Sequence, residues 1–556
     1  MAVPSLLSLL TAEVHGAVPD APAGWSPGVR RSRVADFQAD GPLGLARARG
    51  VDPRAFAGTV AAAVPGASVG GPGFVNVTLT DRALWEQVAA RLDDVRLGVG
   101  VPEAGVRTVI DYSQPNIAKE LHVGHLRSTV IGDALARVLD HLGGTVLRQN
   151  HIGDWGTQFG MLIAFKMDNG DASEEIAALG DLYRRARARF DSDPDFAERS
   201  RARVVALQAG DPATLREWRA LVDASTAYFT RIYERLGVLL TPADTMGESA
   251  YNAALPRVAA DLAEHDVAVP SDGALCVFLD GEPAPLIVRK RDGGFGYAAT
   301  DLAAVRHRVD TLRADRILYV IDARQTLHVR SVLATARRAG WLPEAVEAVH
   351  VVFGTMLDAA GRPLKTRDGT PGRLTDLLDV AVDRARETVR VKHPELTGAA
   401  LEERAAQVGV GALKYADLSN NRTRDSVFDP DRMLALNGNT GVYLQYAHAR
   451  TRSVLGKAGA CGPLDPGRPL EPAERALALQ LDGFGDVLAE VATSYEPHLL
   501  CAYLYGLAQA FAVFWEKCQV LNGGAARDNR LALCRLTADT LRTGLTLLGV
   551  AAPEEL

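Results

Sequence analysis

The stretch DYSQPNIAKELHVGHLRSTVIGD, residues 111–133, decides the fold. The apolar run TVIDYS at 108–113 is typical of a buried strand, and from Leu126 apolar residues recur at helical spacing until the glycines at 143–144. A second strand-like run, TVLRQNHIG at 145–153, follows at once. This order predicts a β-loop-α-β unit whose loop, residues 116–125, lies where open α/β sheets bind ligands.

Composition limits the classes of protein that the chain can belong to. Its 556 residues are 47% apolar and 23% charged, which predicts three or four globular domains. The sequence shows neither an apolar run long enough to span a membrane nor a basic flank at its start, so we expect a cytoplasmic protein that binds no membrane. The five cysteines are scattered, which predicts neither a disulfide framework nor a zinc site. A formal charge of −7 argues against general coating of nucleic acid but allows a specific RNA partner.

Three segments follow from the periodicity. Residues 1–105 read as a small α/β module, and residues 106–375 as a sheet domain interrupted by a charged helical insertion at about 165–235. Four strand-like runs after the insertion, ALCVFLD, PLIVRK, RILYVID and AVHVVFG, predict the second half of a parallel sheet. From 376 to 556 the pattern is that of an all-helical bundle.

The loop before the helix has the composition of a phosphate site. A helix N-terminus presents free N–H groups to an anion, and Gly124 lets a ligand approach the backbone. His122 and His125 can donate imidazole N–H groups, and Lys119 supplies a positive charge nearby. Two alternatives stand beside this hypothesis: a metal site, for which no third ligand has suitable spacing, and a pair of histidines satisfied within a turn.

The wider context resembles a known family. Residues 111–133, followed by RQNHIGDWGTQFGMLI at 148–163, resemble the arginyl-tRNA synthetases, class I aminoacyl-tRNA synthetases with a His-x-Gly-His signature, here His122 to His125. The resemblance extends over nearly the whole chain, in the blocks GPGFVNVTL at 71, GESAYNAALP at 247, GYAATDLAAVRHR at 296, LYVIDARQTLH at 318, GALKYADLSNNR at 411 and YLQYAHAR at 443. It implies a Rossmann-like catalytic domain, an N-terminal module that binds the tRNA D-loop, and a helical anticodon-binding domain.

The resemblance also implies substrates and their ligands. The family activates L-arginine with ATP, supplied with Mg²⁺, and passes the arginyl group to tRNA(Arg). Lys119, His122, Gly124 and His125 match the ATP and catalytic positions, with His328 as a further ATP candidate. The positions matching the arginine ligands are Ser113, Asn116, Glu248, Tyr297, Asp301 and Gln325. Acidic residues suit the planar guanidinium of arginine, and the ammonium group of a lysine substrate could not bond them equally well.

The second signature of class I enzymes, Lys-Met-Ser-Lys, is altered here. Its counterpart is GRPLKTRDG at 361–369, where Pro363, Leu364, Lys365 and Thr366 occupy the four places and the last lysine is missing. The resemblance implies that Lys119 replaces that cation, with Lys365 and Arg367 contributing. A solvated basic loop is the alternative interpretation of these two residues.

For tRNA, the resemblance implies contacts at both ends of the chain. In the first module, Phe74 would stack on a D-loop base and Asn76 would bind its edge, although Phe74 is also suited to a core. Asp40, where relatives often have an amide, adds a negative charge to that module. In the last third, the resemblance implies that Tyr443, Tyr446, Arg450 and Arg452 face the anticodon stem and loop. It also implies a monomer without a protein-bound metal.

Three other functions are compatible with parts of the sequence. A diverged paralogue serving antibiotic resistance or secondary metabolism would retain the same motifs. A smaller nucleotidylyltransferase shares the histidine signature and the sheet but needs neither the first module nor the helical third. A non-catalytic RNA-binding protein would have no need for Lys119, His122, His125, Glu248 and Asp301 together.

Overall fold

The computed structural model describes residues 3–170, 176–358, 360–364 and 372–556. Contacts divide the chain into two compact units. The central unit consists of Glu103–Leu434 with Leu548–Val550, and the terminal unit of Met1–Pro102, Ala435–Leu547 and Ala551–Leu556. This division reflects contacts within the chain and does not test function. The assignment of functions to the segments 1–105, 106–375 and 376–556 therefore stays a prediction.

A five-stranded parallel sheet forms the core of the central unit. In spatial order its strands are Glu347–His350, Arg316–Tyr319, Arg107–Asp111, Thr145–Ile152 and Thr245–Gly247. The β-loop-α-β unit predicted from residues 108–153 is confirmed, with the helix Val123–His141 between the two strands. After Arg107–Asp111, successive strands are added first on one side of it and later, from Arg316–Tyr319 onward, on the other side. This reversal of strand order opens a crevice at the carboxyl ends of the two strands.

Two of the four strand-like runs lie elsewhere, and that part of the prediction is wrong. Ala274–Val277 and Leu286–Arg289 pair antiparallel, together with Val269–Ser271, in a separate three-stranded sheet. The connection between the two runs is too short to hold a crossover helix, so they form a hairpin instead of neighbouring parallel strands.

Helices cover the sheet and extend the central unit. Their bounds are Val123–His141, Thr157–Asn169, Ile176–Ser192, Pro194–Gln208, Pro212–Leu236, Leu255–Glu264, Tyr297–Asp310, Thr326–Arg338, Leu374–Lys392, Gly398–Leu418 and Pro430–Met433, with 3-10 turns at Pro242–Asp244, Glu248–Ala254 and Ala323–Gln325. A short parallel pair joins Met356–Leu357 to Ser426–Val427. The helix Val123–His141 is buried along most of its length, which fixes its N-terminus at the crevice.

The terminal unit joins the two ends of the chain. Its antiparallel sheet has the spatial order Val29–Arg31, Phe37–Ala39, Phe74–Val77 and Ala67–Gly70. Its helices are Leu6–Gly16, Gly41–Ala48, Pro53–Ala63, Asp81–Leu92, Gly441–Ala458, Pro472–Asp482, Phe484–Ser494, His498–Lys517 and Arg527–Leu547, with a 3-10 turn at Gly524–Ala526.

Buried polar contacts hold the first module against the later helices of the terminal unit. The Trp85 indole donates to the Arg468 carbonyl at 2.8 Å, and the Arg91 guanidinium lies 2.7 Å from the Asp482 carboxylate. Because both members of the Arg91–Asp482 pair are buried, removing either one would leave an unpaired charge in the core.

Among the residues that the structure describes, one helix has the length and apolar composition of a membrane span. It is His498–Lys517, and it buries seven residues, among them Leu500, Leu504 and Phe511, inside the terminal unit. A core helix passes the same test of length and composition, so this feature is weak evidence for a membrane span.

Candidate active site

The loop that follows the first strand of the parallel sheet has a strained backbone. Ser113, Gln114 and Ala118 have φ angles of 75°, 52° and 58°, in the left-handed region that side chains disfavour. The Ser113 backbone N–H donates to Ser128 Oγ at 2.9 Å, and the Ala118 N–H donates to Ser225 Oγ at 3.0 Å. These side-chain acceptors hold the loop in its conformation at the crevice.

The two signature histidines cap the helix together. His122 Nδ1 accepts the Gly124 N–H at 3.0 Å, and His125 Nδ1 accepts the His122 N–H at 3.0 Å. Their rings lie 3.9 Å apart between centroids. With both Nδ1 atoms accepting, each neutral imidazole carries its proton on Nε2, where it can donate to a ligand.

Both histidines are neutral at physiological pH. Burial, reinforced by the neighbouring His122, lowers the pKa of His125 to about 3. His122 is exposed as a residue, yet desolvation of its ring and the charge of Arg324 lower its pKa as well. The pair can therefore offer N–H donors at the helix N-terminus, in place of positive charge.

A cleft of about 520 Å³ opens at this helix end, and we call it the signature cleft. Its lining residues are His122, Val123, Gly124, Arg127, Asp322, Arg324, Phe353, Gly354, Thr355, Met356, Pro363, Leu364 and Gly372. Two predicted ATP residues, His122 and Gly124, thus lie in its wall, as do two places of the altered second signature, Pro363 and Leu364. Lys365 and Arg367 lie outside the described residues.

A second cleft of about 350 Å³, the acidic cleft, lies at the reversal point of the parallel sheet. Its lining residues are Asp111, Gln114, Asn116, His151, Gly153, Glu248, Tyr297, Asp301, Tyr319, Ile321, Gln325, His328, Val329, Val332 and Leu333. Five of the six predicted arginine ligands are brought together here: Asn116, Glu248, Tyr297, Asp301 and Gln325. His328, a sequence candidate for ATP, lines this cleft too.

Ser113 is the sixth predicted arginine ligand, and its hydroxyl is hydrogen-bonded to other side chains of the protein. It is 2.7 Å from the Tyr233 hydroxyl and accepts from Thr129 Oγ1 at 3.0 Å. Only 3% of the residue is exposed, whereas the adjacent Gln114 lines the acidic cleft. A contact from the Ser113 side chain to arginine stays a prediction.

Lys119 lies beside the helical insertion. Its ammonium group is 4.8 Å from the centroid of the Tyr183 ring, on the helix Ile176–Ser192. A cation above an aromatic face at a partly exposed site is held by roughly 0.5–1 kcal/mol. Such a weak contact does not fix the ammonium group rigidly.

The carboxylates of the acidic cleft differ in their partners. Asp301 Oδ2 lies 2.6 Å from His328 Nε2, and its Oδ1 lies 3.8 Å from His151 Nε2. The contact with Asp301 raises the pKa of His328. Burial, together with the charges of Asp301 and Asp154, raises the pKa of Glu248 to about 8.

The raised pKa of Glu248 predicts that arginine affinity depends on pH. A guanidinium ligand favours ionised Glu248, so the carboxyl pKa falls when arginine binds and a proton is released. Affinity for arginine should therefore rise up to about tenfold per unit between about pH 7 and pH 8, and level off above. Calorimetric titration in buffers of different ionisation enthalpy measures the released proton. Glu248→Gln should bind arginine more weakly and lose this slope, and an unchanged slope in that variant would contradict the assignment.

Sequence reasoning missed the residue that positions Glu248. Asp154 accepts from the Ser249 N–H at 2.8 Å and from the Ser249 hydroxyl at 2.6 Å, which fixes the turn bearing Glu248. A Cβ at Gly247 would lie 2.1 Å from the Asp154 carboxylate, so a side chain there would displace the carboxylate from Ser249. The sequence signal for Asp154 is the run GDWG at 153–156, which belongs to a block that resembles the family, but no role was predicted for Asp154. His151, Gln114, Arg127 and Asp322 were missed as lining residues as well.

The residues predicted to bind tRNA lie in the terminal unit. Asn76 Oδ1 accepts from Gln38 Nε2 at 2.8 Å on the antiparallel sheet, and Phe74 on the same strand is half-buried. Asp40 pairs with Arg30 at 3.2 Å, which offsets its negative charge. The structure therefore places Phe74 and Asn76 on one strand of this small sheet, and Asp40 directly after the neighbouring strand Phe37–Ala39.

All four residues predicted to face the anticodon lie on the helix Gly441–Ala458. Tyr446 is exposed, and Tyr443 packs edge-to-face on Tyr505 at 5.7 Å between centroids. The Arg450 guanidinium lies 5.3 Å from the Trp515 ring centroid. Arg452 pairs with Glu554 at 3.0 Å. Tyr443, Tyr446 and Arg450 are spaced so that they share one side of this helix, whereas Arg452 lies on the opposite side. The side with the two tyrosines combines aromatic rings with a guanidinium group, which suits stacking on unpaired bases.

The fold and the site define a class I aminoacyl-tRNA synthetase. The family model described as "tRNA synthetases class I (R), catalytic domain" matches residues 90–430, and the "DALR anticodon binding domain" model matches residues 444–556. The predicted fold class, a Rossmann-like parallel-sheet domain with an α/β module and a helical C-terminal domain, is confirmed.

Curated relatives narrow the class to one family. The arginine–tRNA ligase of Frankia casuarinae is 54% identical over 98% of this chain and 97% of its own length. That of Streptomyces avermitilis is 50% identical, with coverage of 98% and 99%. The chain belongs to the arginine–tRNA ligase family, also called the arginyl-tRNA synthetases.

Solved structures agree with this assignment. Thermus thermophilus arginyl-tRNA synthetase is 26% identical and superimposes with a TM-score of 0.82, covering 99% of this chain and 100% of that one. The Plasmodium falciparum enzyme is 24% identical with a TM-score of 0.84 and full coverage of both chains, which shows the common fold.

Proposed function

We propose that the two clefts are the two halves of one active site, with arginine in the acidic cleft and ATP in the signature cleft. This proposal rests on the observation that one segment, residues 321–328, lines both clefts. Ile321, Gln325 and His328 line the acidic cleft, while Asp322 and Arg324 between them line the signature cleft. The two clefts therefore open side by side, as a reaction between two bound substrates requires.

The chain's function is that of its family: ATP-dependent joining of L-arginine to tRNA(Arg). In the first step, an oxygen of the arginine carboxylate attacks the α-phosphorus, the bond to the bridging oxygen breaks, and pyrophosphate leaves. Nε2–H donors of His122 and His125 and the helix N-terminus stabilise charge on the phosphate oxygens. Lys119, together with Lys365 and Arg367, balances charge moving onto pyrophosphate, and Mg²⁺ arrives with ATP as the substrate complex.

Arginine is recognised by charge and shape in the acidic cleft. Ionised Glu248 and Asp301 match the planar guanidinium, and the exposed ring of Tyr297 packs on the side chain. Asn116 and Gln325 take the α-amino and carboxylate groups at the mouth of the cleft. A site built on such hydrogen bonds rejects analogues that lack them by roughly 10⁴–10⁵, so no separate editing site is needed.

In the second step, the terminal ribose of tRNA(Arg) attacks the arginyl-adenylate and AMP leaves. Phe74 and Asn76 would read a D-loop base by stacking and hydrogen bonding. Tyr443, Tyr446, Arg450 and Arg452 would face the anticodon stem and loop. We further propose a monomer that acts in the cytoplasm without a resident metal ion.

The decisive experiment is arginine-dependent exchange of pyrophosphate into ATP, with and without tRNA(Arg). We expect exchange only when tRNA is present, as the family resemblance implies for activation. Exchange without tRNA would favour an activating paralogue, an alternative that full-length relatives of 46–54% identity do not favour. Absence of exchange under both conditions would contradict the proposed activity. Lysine in place of arginine serves as the matched substrate control.

A further inference from the structure

One wall of the signature cleft depends on a segment that does not itself line it. Phe353, Gly354, Thr355 and Met356 form this wall, and His122 and Gly124 line the same cleft. Residues 420–428, which we call the backing segment, are hydrogen-bonded along the wall. Within the central unit, the described residues of the backing segment contribute none of the cleft lining.

Backbone groups of the wall are bonded to the backing segment one after another. The Gly354 N–H donates to the Arg422 carbonyl at 2.9 Å, and the Ser426 N–H donates to the Thr355 carbonyl at 2.9 Å. The Thr355 N–H donates to Asp425 Oδ1 at 2.7 Å. A Cβ at Gly354 would lie 2.7 Å from the Arg424 carbonyl oxygen, so the backbones of the wall and the backing segment are in close contact.

The signature helix, Val123–His141, which also lines the cleft, holds the same segment. Arg127 lies on the signature helix, two residues after His125, and is fully buried. Its Nη1 donates to the Arg424 carbonyl at 2.9 Å, its Nη2 donates to the Arg422 carbonyl at 3.4 Å, and its Nε lies 2.8 Å from the Asp417 carboxylate. One arginine thus connects the signature helix to the segment that carries the other wall.

We infer that Arg127 and Asp425 are positioning residues for ATP, acting through the backing segment to set the distance between the two walls of the signature cleft. Arg127 fixes the backing segment relative to His122 and His125, and Asp425 fixes Thr355 relative to the backing segment. Arg127 also lines the cleft, whereas Asp425 acts on ATP only indirectly, because its carboxylate bonds the wall and does not line the cleft. This inference rests on the proposed assignment of the signature cleft to ATP.

Asp425→Ala tests the inference without disturbing the core, because Asp425 is exposed. Loss of one net hydrogen bond to the wall should raise the KM for ATP by roughly three- to tenfold in pyrophosphate exchange with tRNA present. The KM for arginine and the melting temperature should stay at wild-type values. Asp425→Asn keeps an oxygen that can accept from the Thr355 N–H and should restore the wild-type KM for ATP.

Two further variants make the outcome unambiguous. Asp431→Ala removes an exposed carboxylate of the same unit that pairs with Arg384, and it should leave both KM values unchanged. His122→Ala tests the cleft assignment itself and should impair use of ATP. If Asp425→Ala has a wild-type KM for ATP while His122→Ala is impaired, the positioning role is rejected. If ATP use is normal in both variants, the assignment of the cleft to ATP is rejected first.

Discussion

Asp301→Asn should raise the KM for arginine by roughly 30-fold or more, because truncating one partner of a desolvated charge pair costs about 2–5 kcal/mol. Asp301 is half-buried and lines the acidic cleft with Glu248, and it is bonded to His328. The amide retains the shape and an acceptor for His328, so the variant removes chiefly the negative charge. Steady-state exchange at varied arginine and saturating ATP measures the effect.

A matched control lies on the same helix. Asp310→Asn changes an exposed carboxylate at the end of Tyr297–Asp310, where it pairs with Arg306, and should leave arginine use unchanged. The KM for ATP should be nearly the same in both variants. An Asp301→Asn enzyme with normal arginine KM would show that the guanidinium binds elsewhere.

Lys119→Ala should lower the rate constant of arginine activation by roughly 30- to 1,000-fold, the effect of about 2–4 kcal/mol for one lost donor to a transition state. The ammonium group of Lys119 contacts the Tyr183 ring and can leave it for the developing charge on pyrophosphate. Arginine affinity should change little, since Lys119 lies outside the lining of the acidic cleft. Single-turnover formation of the adenylate in the presence of tRNA separates this chemistry from product release.

Two other lysine variants test the role of the charge. Lys119→Arg retains a cation and should recover part of the lost rate. Lys166→Ala removes a lysine of the same unit that pairs with Glu217 at 3.0 Å, and it should activate arginine at the wild-type rate. Normal activation by Lys119→Ala would leave the missing lysine of the second signature without a replacement at this position.

Much of the site could be predicted because its residues are close in sequence or matched a family motif. The strand, loop and helix around residues 108–141 follow from local periodicity, and the signature fixes the helix N-terminus. The pairing of Ala274–Val277 with Leu286–Arg289 was mispredicted because apolar runs do not reveal their partners. The roles predicted for individual site residues stay predictions until the variants are measured.

What the sequence by itself determined is the order of elements around residues 108–153, the loop at the N-terminus of the signature helix and the family. Only the tertiary structure decided that His328 bonds Asp301, that Asp154 holds the turn of Glu248, and that Arg127 reaches the carbonyls of Arg422 and Arg424. These contacts join residues far apart in the chain. Burial then sets the pKa of Glu248 and His125, and burial is a property of the whole packed unit that no local pattern contains.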